Sequence, residues 1–241
     1  MSHLHVPDGL LPVRLWAGGL LLALLVLARA THVLRGQSPQ RIAYQGALGG
    51  LLLAAMAIPL GPLDLHVTAI GPVGVLLGAA GAFQVVFVVS VILALMGHGG
   101  LTVIGLNALI LGAGAAVAAL AYRPLVRRFS PPWSLAMGAA LGQVVTGAMW
   151  LLVVGLGMRL ASATPVATHA VHTAARAGTY AGRGGAPHFE LFALFSLPWW
   201  IAGLVLESTI AFGLGRFLSR VQPGLLPGSA SAVAEPAGGP A

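Results

Sequence analysis

Long uncharged stretches alternate along the chain with short segments in which arginine, proline and glycine collect. Apolar spans run from about Leu11 to Val33, Ile42 to Leu60, Leu101 to Tyr122, Trp133 to Gly157 and Phe189 to Leu218. Each is long enough to cross a hydrocarbon layer roughly 30 Å thick as a helix. The stretch from Val67 to Gly97 also lacks charge, but it is too long for one upright helix and short for two full ones. It contains Gly78-Ala79-Ala80-Gly81, which suits a tight turn between close-packed helices.

Arginine placement chooses between one crossing and two, because cytoplasmic loops are enriched in basic residues. Arg29, Arg35 and Arg41 put the first loop inside and the N-terminus outside. A single crossing over Val67 to Gly97 sends Arg123, Arg127 and Arg128 outside, whereas two crossings keep them inside together with Arg216 and Arg220. The expected fold is therefore all-α, a polytopic membrane protein of about seven transmembrane helices: 11–33, 42–60, a short one near 67–80, 82–97, 101–122, 133–157 and 189–218. Residues 1–220 form one domain that includes an outer loop at 159–188, and 221–241 form a flexible Pro/Gly/Ala-rich cytoplasmic tail. The setting is the cell's inner, or plasma, membrane.

Composition agrees: 58% of residues are hydrophobic and 7% charged, against roughly a quarter charged in soluble domains. The net charge of +7 comes with twelve basic residues that are all Arg and scattered through short loops, so it reports topology and not nucleic-acid binding. There is no cysteine, which removes thiolate metal sites and cysteine nucleophiles and leaves nitrogen and oxygen ligands. There is no lysine and hence no Walker A motif, nor any H-E-x-x-H or G-x-S-x-G pattern. The chain reads as no enzyme, and active transport needs a partner ATPase or an ion gradient.

The eight histidines are segregated in this topology: His3, His5, His66, His98, His169, His172 and His188 fall outside, and His32 falls inside among arginines. Imidazole is the commonest transition-metal ligand, so an outer histidine face points to metal capture. At the chain start, Ser2 is small enough for Met1 to be trimmed, and His3 then brings an imidazole, its own amide and the new amine to one ion; His5 follows in His5-Val6-Pro7-Asp8-Gly9-Leu10-Leu11. Such an all-nitrogen set suits Ni(II) or Cu(II), although histidines in a frayed terminus can also be incidental.

His66, in Leu63-Asp64-Leu65-His66-Val67-Thr68, lies where an outer loop meets the short third helix. It reads as a ligand or as an interfacial hydrogen-bonding residue, and Asp64 as an acceptor that orients an imidazole or as a helix cap. His98, in Gly97-His98-Gly99-Gly100-Leu101-Thr102, is a supporting residue at the site's mouth or part of a packing turn, and Asn107 must find a hydrogen-bond partner inside the bundle. His169 and His172 share a face only if their Ala/Gly/Thr-rich loop is helical. A membrane enzyme, or a metal-binding accessory subunit that does not transport, is the alternative reading.

The N-terminal His5-to-Leu11 run, His66 before a short Gly-rich helix, and His98-Gly99-Gly100-Leu101-Thr102 with Gly105 and Asn107 together resemble the CbiM/NikM family, over about Leu4 to Tyr122. These are substrate-binding membrane components of energy-coupling factor importers for cobalt and nickel. The resemblance implies seven helices with the N-terminus outside and a near-planar nitrogen site made by the N-terminal amine, the amide and imidazole of the adjacent histidine, and the histidine matching His66. Aligned on Pro7-Asp8-Gly9 the first histidine is His5, but three extra residues deprive it of an adjacent free amine; His3 after Met removal restores that arrangement. The loop also departs from the family's Ser-His-Pro-Thr-Gly, reading Leu65-His66-Val67-Thr68-Ala69. Transported Co(II) or Ni(II) is then the cargo, with no prosthetic group. The implied partners are a transmembrane coupling protein and a cytoplasmic ATPase pair, with room for a small accessory membrane subunit.

Overall fold

The computed structural model describes Val6, Asp8, Gly9 and residues 11–58, 66–162 and 189–228. Six α-helices are present among them: α1 Val13–Val33, α2 Pro39–Ala57, α3 Ile70–Leu95, α4 Ile104–Leu125, α5 Pro131–Ser162 and α6 Phe189–Val221, followed by a short 3-10 turn at Pro223–Leu225. No strand occurs among the described residues. Five helical stretches are long and apolar enough to cross a membrane: Val13–Val33, Ile70–Leu95, Ile104–Leu125, Pro131–Leu160 and Ser196–Val221.

The second helix differs from the expected apolar span at both ends. Ser38 accepts a hydrogen bond from the Arg41 amide at 3.4 Å and Pro39 takes the first helical position, so α2 starts early and includes the polar turn Gln40-Arg41. It stops at Ala57 because Ile58, which precedes Pro59, is extended at φ −98° and ψ 114°.

Within α3, Gly78 has φ 72° and ψ 168°, well outside the helical region and accessible without strain only to glycine. A straight helix from Ile70 to Leu95 would be about 39 Å long, yet His66 before its start and His98 after its end bring their ring centroids within 6.0 Å. The chain therefore reverses at Gly78. The arm 70–77 rises about 12 Å and the irregular residues 66–69 can add about 13 Å, which matches the roughly 25 Å of the arm 79–95. Leu77, Ile70 and Val73 of the short arm pack with Ala82, Val85, Val86 and Leu93 of the long one in a shared core.

The short arm sits against α4 and α5 at distances only small residues allow. A Cβ on Gly71 would lie 2.6 Å from the Ala139 Cα, and one on Gly74 would run into the Ala115 backbone. Apolar side chains that find no place inside face outward, as Leu21, Leu22 and Leu25 do on α1, which is the arrangement expected of a surface solvated by lipid. At the Gly78 end, Arg41 and Arg123 line a recess with Tyr122 and Pro227. Leu226, just past α6, is 1% exposed.

Candidate metal site

His98 owes its position to the way α3 ends. The His98 amide donates to the Leu93 carbonyl at 2.8 Å and the Gly97 amide to the Ala94 carbonyl at 3.1 Å, with Gly97 at φ 83°. This is a Schellman cap, in which glycine takes the left-handed position and the next residue turns back over the helix end. The half-buried His98 ring thus faces that of His66 edge-on, at an interplanar angle of 71°. Its Nδ1 is buried and has no hydrogen-bond partner among the described residues.

His66 begins the segment that leads down to the short arm of α3. Val67 and Thr68 are buried, and Ala69 adopts the left-handed conformation at φ 49° and ψ 16°. The amides of Thr68 and Ala69 donate to the Glu207 carboxylate on α6, Ala69 at 3.0 Å to Oε2 and 3.3 Å to Oε1. Gln143 on α5 donates through Nε2 to the Thr68 hydroxyl at 2.7 Å. Glu207 is 4% exposed and Gln143 is equally buried, so these bonds lie inside the bundle.

The N-terminal segment is tied to the same end of the molecule. Val6 donates its amide to Asn107 Oδ1 at 2.8 Å and accepts from Asn107 Nδ2 at 3.3 Å. Asp8 accepts from the Leu101 amide at 2.8 Å, the Thr102 amide at 2.9 Å and the Thr102 hydroxyl. Burial pushes the Asp8 carboxyl up, but the Thr102 hydroxyl and the Thr102 and Leu101 amides outweigh it and hold the carboxyl below its ordinary value. Val6 and Leu11 pack with Val103, Leu106, Ile110 and Val154. Two short ties thus run the chain's beginning past the turn that carries His98.

Of the residues singled out by sequence, His66 and His98 come together, and Asn107 holds the N-terminal segment instead of facing the rings. Ser2, His3, His5 and Asp64 lie outside the described residues, as do His169, His172 and His188 and the tail from 229 onward. Among the described residues no group of three or more His, Cys, Asp or Glu side chains is placed to hold a metal ion. Sequence reasoning passed over Glu207, although an ionisable residue inside an apolar span is a signal of function in its own right.

The family model for the cobalt uptake substrate-specific transmembrane region, CbiM, matches residues 5–225. The chain belongs to the CbiM family. Two solved structures share the fold: a truncated transition metal transporter, at 20% identity and TM-score 0.68 over 89% of this chain and 98% of that one, and a transition metal transporter, at 20% identity and TM-score 0.69 over 90% and 93%. No curated protein matches. As a CbiM-family chain with five membrane-length helices, the molecule is a multi-pass membrane component of a metal uptake transporter. The CbiM match extends past Tyr122, where the sequence motifs stop, through α5 and α6.

Proposed function

We propose that this CbiM-family chain is the substrate-binding component of an energy-coupling factor importer, and that it takes up Co(II) or Ni(II) through nitrogen ligands on its outer face. The observation that carries the reading is the meeting of His66 and His98 at the end of the bundle where the N-terminal segment is tied down. On this reading Ser2, His3 and His5, which precede Val6 in the sequence, supply an amine, an amide and imidazoles that surround one ion together with His66. His66 is the loop ligand, His3 or His5 the N-terminal chelator, and His98 supports from its turn, with Asp64 as an acceptor for a ligating imidazole.

Among the described residues the two arms of α3, counted separately, make seven helical segments with the other five helices. On this reading, with the N-terminus outside, the arginines of the first loop, of 123–128 and of the C-terminal helix end lie in the cytoplasm. Lacking a P-loop, the chain depends on a transmembrane coupling protein and a pair of cytoplasmic ATPases for concentrative uptake. The test is metal titration of the purified protein and uptake into reconstituted vesicles. Wild type binds Ni(II) or Co(II) and His66→Ala loses most of that binding. Vesicles holding this chain alone do not accumulate metal against a gradient, and accumulation by the chain alone would refute the partner assignment.

A further inference from the structure

The backbone at Thr68 and Ala69 enters α3 without the help that a helix start usually receives from its own sequence. Ala69 occupies the capping position in a left-handed conformation that L-residues adopt only at a cost, and no side chain of the segment caps the helix. Both amides are instead taken by one carboxylate contributed from a helix 139 and 138 positions further along. A buried carboxylate beside unsatisfied helix N-terminal amides gains from the helix dipole as well as from charge-assisted hydrogen bonds. Gln143 fixes the Thr68 side chain from α5, so the residues that follow His66 are held from two other helices. His66 is two residues before Thr68 and has no regular secondary structure of its own.

We infer that Glu207 is a positioning residue for metal capture: from α6 it pins the Thr68–Ala69 backbone and so fixes where His66 presents its ring. The inference rests on the reading of His66 as a metal ligand. It makes the last helix part of the site without touching the ion, and any displacement of α6 relative to the α3–α5 core moves the loop ligand. Removing a group that orients a metal ligand commonly lowers affinity about 10–100-fold, and a loss in that range is expected for Glu207→Ala. Glu207→Gln keeps one acceptor oxygen and is expected to fall between the two.

The experiment compares full-length wild type, Glu207→Ala, Glu207→Gln, His66→Ala and the double variant Glu207→Ala/Ala69→Gly. Ni(II) titration is combined with amide hydrogen exchange in the metal-free proteins. Support is a Ni(II) affinity at least about tenfold weaker in Glu207→Ala, faster exchange confined to peptides covering 66–73, and partial recovery of affinity by Ala69→Gly, which favours the left-handed backbone that Glu207 otherwise enforces. If His66→Ala loses binding while Glu207→Ala binds as wild type, the positioning role is refuted and the metal site stands. If His66→Ala binds as wild type, the site assignment itself fails and the inference with it. Should Glu207→Ala not fold, Glu207→Gln carries the same comparison, and wild-type affinity with wild-type exchange at 66–73 in that variant overturns the inference.

Discussion

Asn107 treats Val6 as a neighbouring strand would, accepting its amide proton and donating to its carbonyl across 101 positions of sequence. Val6 is 0% exposed and Asn107 3% exposed, so neither peptide group has water to fall back on. Val6 is thereby fixed inside the bundle, one position after His5 in the sequence.

Asn107→Ala should therefore lower stability by about 1–3 kcal/mol, the cost of leaving a buried donor and acceptor unpaired. Asn107→Asp keeps the acceptor for Val6 and should cost less if the segment adjusts. Thermal unfolding in detergent measures both, and limited proteolysis should show earlier cleavage ahead of α1 in Asn107→Ala. Unchanged stability together with unchanged cleavage would mean that the pair is not holding the segment.

The Asp8 carboxyl is held below its ordinary value, so its contribution to stability has a defined pH window. It is fully present above the unfolded value of about 4 and is lost as the pH falls through the lowered folded value. The difference in melting temperature between wild type and Asp8→Asn should be constant near neutrality and shrink below about pH 4. A difference that instead grew on acidification would contradict the assignment.

Gly78 offers a clean measure of backbone strain. Nothing lies within 4 Å of a Cβ built there, so a substitution meets no neighbour and only the backbone conformation objects. Gly78→Ala should cost about 1–3 kcal/mol, and Gly78→Ser nearly the same. Gly74→Ala fails for a different reason, because its methyl group would enter the Ala115 backbone. A chemical-denaturation series in which Gly78→Ala matched wild type would show that the reversal tolerates an L-residue.

Orientation is open to labelling, since the chain contains no cysteine. An impermeant thiol reagent applied to intact cells should modify His98→Cys and spare Arg127→Cys. The opposite pattern would invert the topology inferred from arginine placement.

The sequence made some of this arrangement readable and hid the rest for a physical reason. The break in α3 falls at the first glycine of Gly78-Ala79-Ala80-Gly81, because the reversal takes a φ of 72° and a ψ of 168° that only a residue without a Cβ adopts without strain. Arginine asymmetry assigned His66 and His98 to the same side, but their ring contact required the reversal at Gly78 and the Schellman cap at Gly97. Glu207 and Asp8 were harder to read: much of what they bind is backbone amide, and an amide leaves no mark on residue identity. Asn107 was legible as a buried amide in need of a partner, whereas the partner was the featureless peptide at Val6.

Residues 66–69 reach the short arm of α3 as irregular backbone, which rises up to about 3.3 Å per residue where a helix rises about 1.5 Å. Winding these four positions into one more helical turn would shorten the path by at most about 7 Å. His66 would then be drawn away from His98 toward the short arm, and the ring contact between the two would be lost. The carboxylate of Glu207 occupies the amides of Thr68 and Ala69 at the very place where that extra turn would be added. The reach of His66 beyond the short arm is thus set by the extended rise of four residues, two of which are held by their amides from the last helix.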